Sequence, residues 1–148
     1  MVQNSPLVGT WSLLTWFNET SEGHRIYPLG KEAEGFISYT PDGFVFVQMV
    51  AKNRTLYTVN DPFGGTLEED LTAIKSQISY SGSYEDKGDH VIHRVKAASC
   101  PNWIGTEQIR QVTFDGDSLS LSAVGTRFQG QNVNAYLDWT RADPSSPL

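Results

Sequence analysis

His93, Arg110, Tyr80 and Tyr84 are the side chains of this 148-residue chain whose types and spacing can do chemistry. They fall in three successive runs, Ile78 to Glu85, His90 to Ala97 and Thr106 to Phe114, separated by Asp86-Lys87-Gly88-Asp89 and by a Cys100-Pro101-Asn102-Trp103 corner. Side chains on a strand alternate between faces. Ile78, Tyr80, Gly82 and Tyr84 therefore share one face, Val91, His93, Val95 and Ala97 a second, and Gln108, Arg110, Val112 and Phe114 a third. Three antiparallel strands would turn these faces inward and set an imidazole, a guanidinium, an amide and two phenols among apolar groups. That is the make-up of a small-molecule pocket, an apolar lining with a few directed polar groups.

Each candidate has a chemical and a plain structural reading. An inward imidazole at His93 serves as general acid or base near neutral pH, or is a core histidine satisfied by a neighbouring hydroxyl. A guanidinium at Arg110 costs several kcal/mol if buried unpaired, and no carboxylate shares its face on the flanking runs. A ligand carboxylate, enolate or carbonyl would answer it, as would an internal hydrogen bond or a place at the wet rim. Tyr80 and Tyr84 flank Gly82, whose missing side chain permits close approach, so their hydroxyls orient or protonate a ligand or simply pack. Asn102 and Trp103 sit at a corner where a ring stacks on an entering guest or caps the core. Gln48 and Tyr39 join the ligand-binding set if the inner face of their hairpin includes them.

Metal and cofactor chemistry lack parts. His90 and His93 face opposite ways on a strand and cannot chelate together. The chain has no Walker A sequence, no dinucleotide-binding glycine pattern and no Gly-x-Ser-x-Gly elbow. Cys100 has no evident histidine partner and reads as structural, so neither a metal nor a cofactor is expected.

The elements that position these residues are mostly strands. Gly9 to Phe17 is rich in aromatic and β-branched residues, with Trp11, Leu13, Thr15 and Phe17 on one parity and Ser12, Leu14 and Trp16 on the other. Its two partly apolar faces predict a cover outside as well as inside, from the N-terminal turn or a second copy in a homodimer. Pro41-Asp42-Gly43 between Gly35–Thr40 and Phe44–Val50 is a hairpin signal. The expected pairing groups Ile37, Tyr39, Phe44, Phe46 and Gln48 on one side and Phe36, Ser38, Val45, Val47 and Met49 on the other; periodicity leaves open which is inner. One helix is predicted within Asn60–Gln77: Thr66-Leu67-Glu68-Glu69 is a capping box, and Leu67, Leu71, Ile74 and Ile78 form a stripe that should lie on an apolar surface as a lid or a cover. Asp115-Gly116-Asp117 turns the chain into Ser118–Ser122, and Asn132–Arg141 is the last strand. Seven or eight short strands with one short helix predict an all-β, up-and-down antiparallel barrel. A single domain over 1–141 and a flexible tail over 142–148 are expected.

Composition narrows the partners. A chain of this length buries roughly 70% of its unfolded surface, enough for one core. Four Trp, six Tyr and seven Phe supply more rings than a plain sandwich needs. The net charge of −6 argues against nucleic acid or an anionic membrane as partner. A single cysteine and an N-terminus without a charged or apolar leader predict a reducing, cytoplasmic setting. The sequons Asn18-Glu19-Thr20 and Asn53-Arg54-Thr55 then read as coincidence. No apolar run approaches the ~20 residues needed to span a bilayer.

Leu7-Val8-Gly9-Thr10-Trp11, Tyr27-Pro28-Leu29-Gly30, Gly35-Phe36-Ile37-Ser38-Tyr39-Thr40-Pro41-Asp42-Gly43, Tyr80-Ser81-Gly82-Ser83-Tyr84 and Pro101-Asn102-Trp103-Ile104-Gly105-Thr106 resemble, in this order, the motifs of the lipocalin-like domain family, small single-domain bacterial and fungal proteins. The resemblance runs from about Leu7 to Arg141. It implies an eight-stranded barrel around a hydrophobic cavity, with Trp11 plugging the closed end and Arg141 packed over it. It implies no common catalytic set, and some fungal barrels of natural-product pathways act as cofactor-free cyclases or isomerases. Two functions follow as expectations. One is a cofactor-independent cyclase or isomerase for a polyketide- or terpenoid-like molecule, with Arg110 and the tyrosines polarising a carbonyl and His93 moving a proton. The other is a carrier that holds a small hydrophobic molecule unchanged.

Overall fold

The computed structural model describes residues 4–146, so residues 147 and 148 of the expected tail, and residues 1–3, lie outside the described part. Nine strands follow one another: β1 (Gly9–Thr20), β2 (Arg25–Ile26), β3 (Glu34–Tyr39), β4 (Phe44–Val50), β5 (Gln77–Asp86), β6 (His90–Ala98), β7 (Glu107–Asp115), β8 (Ser118–Phe128) and β9 (Gln131–Arg141). The helix α1 (Leu67–Lys75) lies between β4 and β5, and a 3₁₀ turn spans Pro101–Trp103. From β3 onward each strand pairs antiparallel with the next, while β1 pairs with both β3 and β9. The sheet therefore closes into an eight-stranded barrel, with the two-residue β2 attached to β1. Among the described residues no helix is long and apolar enough to cross a membrane.

The β3–β4 hairpin corrects the expected faces. Its loop is the three residues Pro41-Asp42-Gly43, flanked by a Thr40 N–H to Phe44 carbonyl bond of 2.8 Å, with Gly43 at φ 97°. Tyr39 therefore stands opposite Val45 and Ile37 opposite Val47. Opposed residues share a face, so Ile37 and Tyr39 go inside with Val45, Val47 and Met49, whereas Phe36, Phe44, Phe46 and Gln48 face out. Gln48 is thus removed from the interior.

Three bulges shift the alternation elsewhere. In β1 the register slips between Leu13 and Thr15. The extra residue throws Leu14 outward and carries Trp16 and Asn18 into the barrel, so the single parity expected for Trp11, Leu13, Thr15 and Phe17 ends at Leu13. Phe17 instead stacks outside on Tyr136, its ring centroid 5.2 Å away, under the guanidinium of Arg25. Tyr136 and Arg25 thus cover Phe17, while Leu14 on the same outer face stays 54% exposed. In β6 the slip opposite Ser81 and Gly82 leaves Ala97 exposed and turns Ala98 toward the core. A Cβ at Gly82 would overlap the Arg94 carbonyl, so the room expected for a ligand there is taken by strand β6. A slip between Ala123 and Thr126 in β8 brings Thr126 and Phe128 to the lumen.

Helix α1 begins as expected. Thr66 Oγ1 accepts from the Glu69 N–H at 3.2 Å, and the Glu69 carboxylate accepts from the Thr66 N–H at 3.0 Å. Its stripe does not lie on the barrel, however. Leu67, Leu71 and Ile74 are exposed and the helix buries none of its residues. Polar ties hold it instead, among them Tyr57 to Asp70 at 2.8 Å and Arg54 to the Ala73 carbonyl at 3.0 Å. The helix is neither lid nor cover; only its last turn reaches the barrel mouth.

The closed end is built on Trp11, which is fully buried and donates from Nε1 to the Leu7 carbonyl at 2.9 Å. The Arg141 guanidinium lies 3.8 Å over its ring and donates to the carbonyls of Pro6 and Val8, both at 2.8 Å. One cation thus ties the first and last segments across the floor. Trp11→Ala should cost about 3–5 kcal/mol of unfolding free energy in urea titrations, the usual cost of emptying a large core site.

Candidate functional site

Inside the barrel lies a cavity of about 290 Å³, at the small end of the ~300–1,000 Å³ usual for ligand pockets. Ile37, Val47, Leu121, Leu137 and Trp139 make its apolar wall, and Tyr80, Gln108 and Arg110 its polar edge. It shares Trp16, Ile78, Trp103, Arg127 and Phe128 with a larger outer hollow of about 580 Å³ that also reaches Pro101 and the end of α1. The shared residues mark the entrance. Trp103 meets Tyr80 edge-on with centroids 5.7 Å apart, and Phe128 meets Trp16 likewise at 5.6 Å.

Beside the cavity is a hydrogen-bonded array of three rings. His93 is fully buried. Its Nε2 is 2.8 Å from the Tyr39 hydroxyl and its Nδ1 2.7 Å from the Tyr80 hydroxyl. Burial removes water from an imidazolium, and the nearby Arg110 charge opposes it further, so His93 is pushed down to about 3. Burial raises Tyr39 and Tyr80 above the ordinary phenol value, while Arg110 pulls both back. At neutral pH the array is an uncharged imidazole between two phenols.

Arg110 sits half-buried at the cavity wall. It donates to the Gln108 side-chain oxygen at 3.2 Å and to the Ile109 carbonyl at 3.0 Å. Among the described residues no carboxylate pairs with it. Tyr84 lies below, edge-on to Tyr39, and donates to the Thr40 carbonyl at 2.9 Å. Of the residues singled out from sequence, the structure thus places Tyr80, Trp103, Gln108 and Arg110 on the cavity and His93, Tyr39 and Tyr84 behind it. Asn102 is exposed in the 3₁₀ turn, Gln48 is on the outer surface, and Cys100 is half-buried in the outer hollow.

Asn18, Trp16 and Trp139 are among the cavity residues not singled out from sequence. Asn18, only 1% exposed, accepts from Trp16 Nε1 at 3.1 Å through its side-chain oxygen, and both line the cavity. The signal was present as Trp16-x-Asn18, two residues of one face, but the bulge at Leu14 disguised which face. Trp139, on the face of β9 that also carries Val133 and Leu137, is buried with no hydrogen-bond partner for its indole N–H among the described residues.

A closed barrel with an apolar lumen, an aromatic mouth and a tryptophan floor under an arginine defines a lipocalin-type barrel. The sequence profile of the lipocalin-like domain family matches residues 8–142, and the chain belongs to that family. It is similar to the 4'-hydroxy-3'-methoxypropiophenone carrier protein ppsC of Aspergillus oryzae, 37% identical over 86 residues, which cover 52% of this chain and 78% of that protein. A solved structure, the lipoprotein YedD of Klebsiella pneumoniae, aligns with a TM-score of 0.43 at 12% identity over 99% of this chain and 80% of its own.

The buried imidazole links protons to stability. Folded His93 stays neutral down to about pH 3, whereas in the unfolded chain it takes up a proton near pH 6.5. Below that pH the unfolded state binds the extra proton, so stability falls by about 1.4 kcal/mol per pH unit until roughly pH 3. Urea titrations at pH 7 and pH 4.5 should show the wild type losing about 3 kcal/mol more than His93→Gln over that interval. Parallel losses would contradict the burial of a neutral histidine.

Proposed function

We propose that this chain is a binding or carrier protein for a small hydrophobic aromatic molecule held in the barrel. The observation that carries the reading is the cavity itself: apolar, lined by tryptophans, open at one aromatic mouth and sized for a single substituted ring with a short chain. A flexible polyketide or terpenoid chain folding for cyclisation would need more room. The related carrier, whose name gives it an aryl ketone as ligand, supports the same class of guest.

The geometry around His93 favours holding over catalysis. A general base must be able to take a proton near the working pH, and here both ring nitrogens are engaged by phenols while burial suppresses the charged form. Tyr80 and Arg110 still touch the cavity, which is what a cyclase or isomerase would use to polarise a carbonyl, so turnover has to be measured alongside binding.

Titration with 4'-hydroxy-3'-methoxypropiophenone should quench tryptophan fluorescence saturably with one equivalent, because Trp16, Trp103 and Trp139 line the cavity. The compound should return unchanged from overnight incubation when analysed by chromatography. Saturable binding followed by conversion would establish an enzyme in place of a carrier.

A further inference from the structure

The ring array beside the cavity carries a direction. Tyr39, neutral His93 and Tyr80 hold three exchangeable protons, and two hydrogen bonds join them. One proton is left over, and it belongs to one end or the other. If Nε2 carries the imidazole proton, it donates to Tyr39, Tyr80 donates to Nδ1, and the spare proton is on the Tyr39 hydroxyl. Tyr39 is 1% exposed, does not line the cavity and has no second acceptor among the described residues. A buried hydroxyl proton left without an acceptor is costly. If Nδ1 carries it, Tyr39 donates to Nε2, Nδ1 donates to Tyr80, and the spare proton is on Tyr80, at the cavity wall.

We propose that Tyr39 and His93 are positioning residues that turn the Tyr80 hydroxyl proton into the cavity, where Tyr80 together with Arg110 receives the carbonyl oxygen of an aromatic guest. The inference rests on the carrier reading above and adds the guest's recognition element to it. The rest of the polar edge agrees. Arg110 presents only N–H groups and has no anionic partner among the described residues. Asn18 has its side-chain oxygen occupied by Trp16, which leaves its amide N–H groups as the remaining donors. The cavity therefore offers protons to its guest and few lone pairs, which suits an oxygen acceptor and disfavours a guest bearing donors at that end. Bonds in a chain of this kind polarise one another, so a proton from Tyr39 at the far end strengthens the one Tyr80 donates.

Two measurements test this. The first is the tautomer of His93 in the unliganded wild type, from long-range ¹⁵N–¹H correlation of ring-labelled protein. Nδ1–H is expected; Nε2–H overturns the relay. The second compares 4'-hydroxy-3'-methoxypropiophenone with 2-methoxy-4-propylphenol, the same skeleton without the carbonyl. The wild type should prefer the ketone by about tenfold, the usual worth of one hydrogen bond. Tyr80→Phe, which leaves Arg110 in place, should lower that preference severalfold. Tyr39→Phe should lower the ratio of the two affinities severalfold, which loss of packing, acting on both compounds alike, would not do. Equal wild-type affinities for the two compounds, or a preference undiminished by Tyr80→Phe, overturn the inference and leave the carrier reading standing. Failure of both compounds to bind the wild type overturns both. Thermal melts establish that each variant is folded, and the tautomer measurement needs no variant.

Discussion

The ladder between β1 and β9, from Trp11 opposite Arg141 to Thr20 opposite Val133, is the contact on which the molecule depends. It joins the first and last strands, removes both edges of the sheet and so creates an inside. Curving eight strands into a closed wall requires local kinks, and the bulges in β1, β6 and β8 supply them. The bulges in β1 and β8 also redirect side chains that line the cavity, Trp16 and Asn18 from the first, Thr126 and Phe128 from the second, and the one in β6 turns Ala98 toward the core. At the floor, Arg141 binds the backbone ahead of β1 and covers Trp11, so the segment that plugs the barrel is fastened to the strand that closes it.

Within that wall the polar groups are arranged by burial. A fully enclosed imidazole would leave two nitrogens unsatisfied, a cost of a few kcal/mol, and Tyr39 and Tyr80 remove it. The same enclosure takes away the imidazole's basicity, and the field of Arg110 acts in the same sense. What the site loses as an acid–base device it gains as a fixed surface. Tyr80 is anchored through its hydroxyl to His93 and its side chain lines the cavity, so the ring is held in place before any guest arrives.

Turn chemistry and capping made much of the architecture legible in the sequence. Asp-Gly turns, the Thr66 capping box, the alternation of His90 to Val95 and the last strand near Asn132–Arg141 appear in the structure as they read. Where one extra residue enters a strand, alternation inverts from that point on, and nothing in Leu13-Leu14-Thr15 announces it. That is why Trp16 and Asn18 were assigned no place inside. Gln48 was misplaced for a different reason. A three-residue loop sets Thr40 against Phe44, so odd positions of β3 meet odd positions of β4, and the assumed pairing broke this rule. The stripe of α1 shows a further limit: periodicity reveals that Leu67, Leu71 and Ile74 share a face, but not that the face meets anything. The array of Tyr39, His93 and Tyr80 joins three strands, and pairings at that distance are set by register rather than by local pattern.

The most direct measurement is a crystal structure of the protein soaked with a brominated aryl ketone, with the bromine located by its anomalous scattering. A single bromine peak inside the barrel, among Trp16, Leu137 and Trp139 and with the ketone oxygen facing Tyr80 and Arg110, is the predicted result. Bromine found only on the outer faces of the sheet or along the apolar stripe of α1, with the lumen empty, would contradict it.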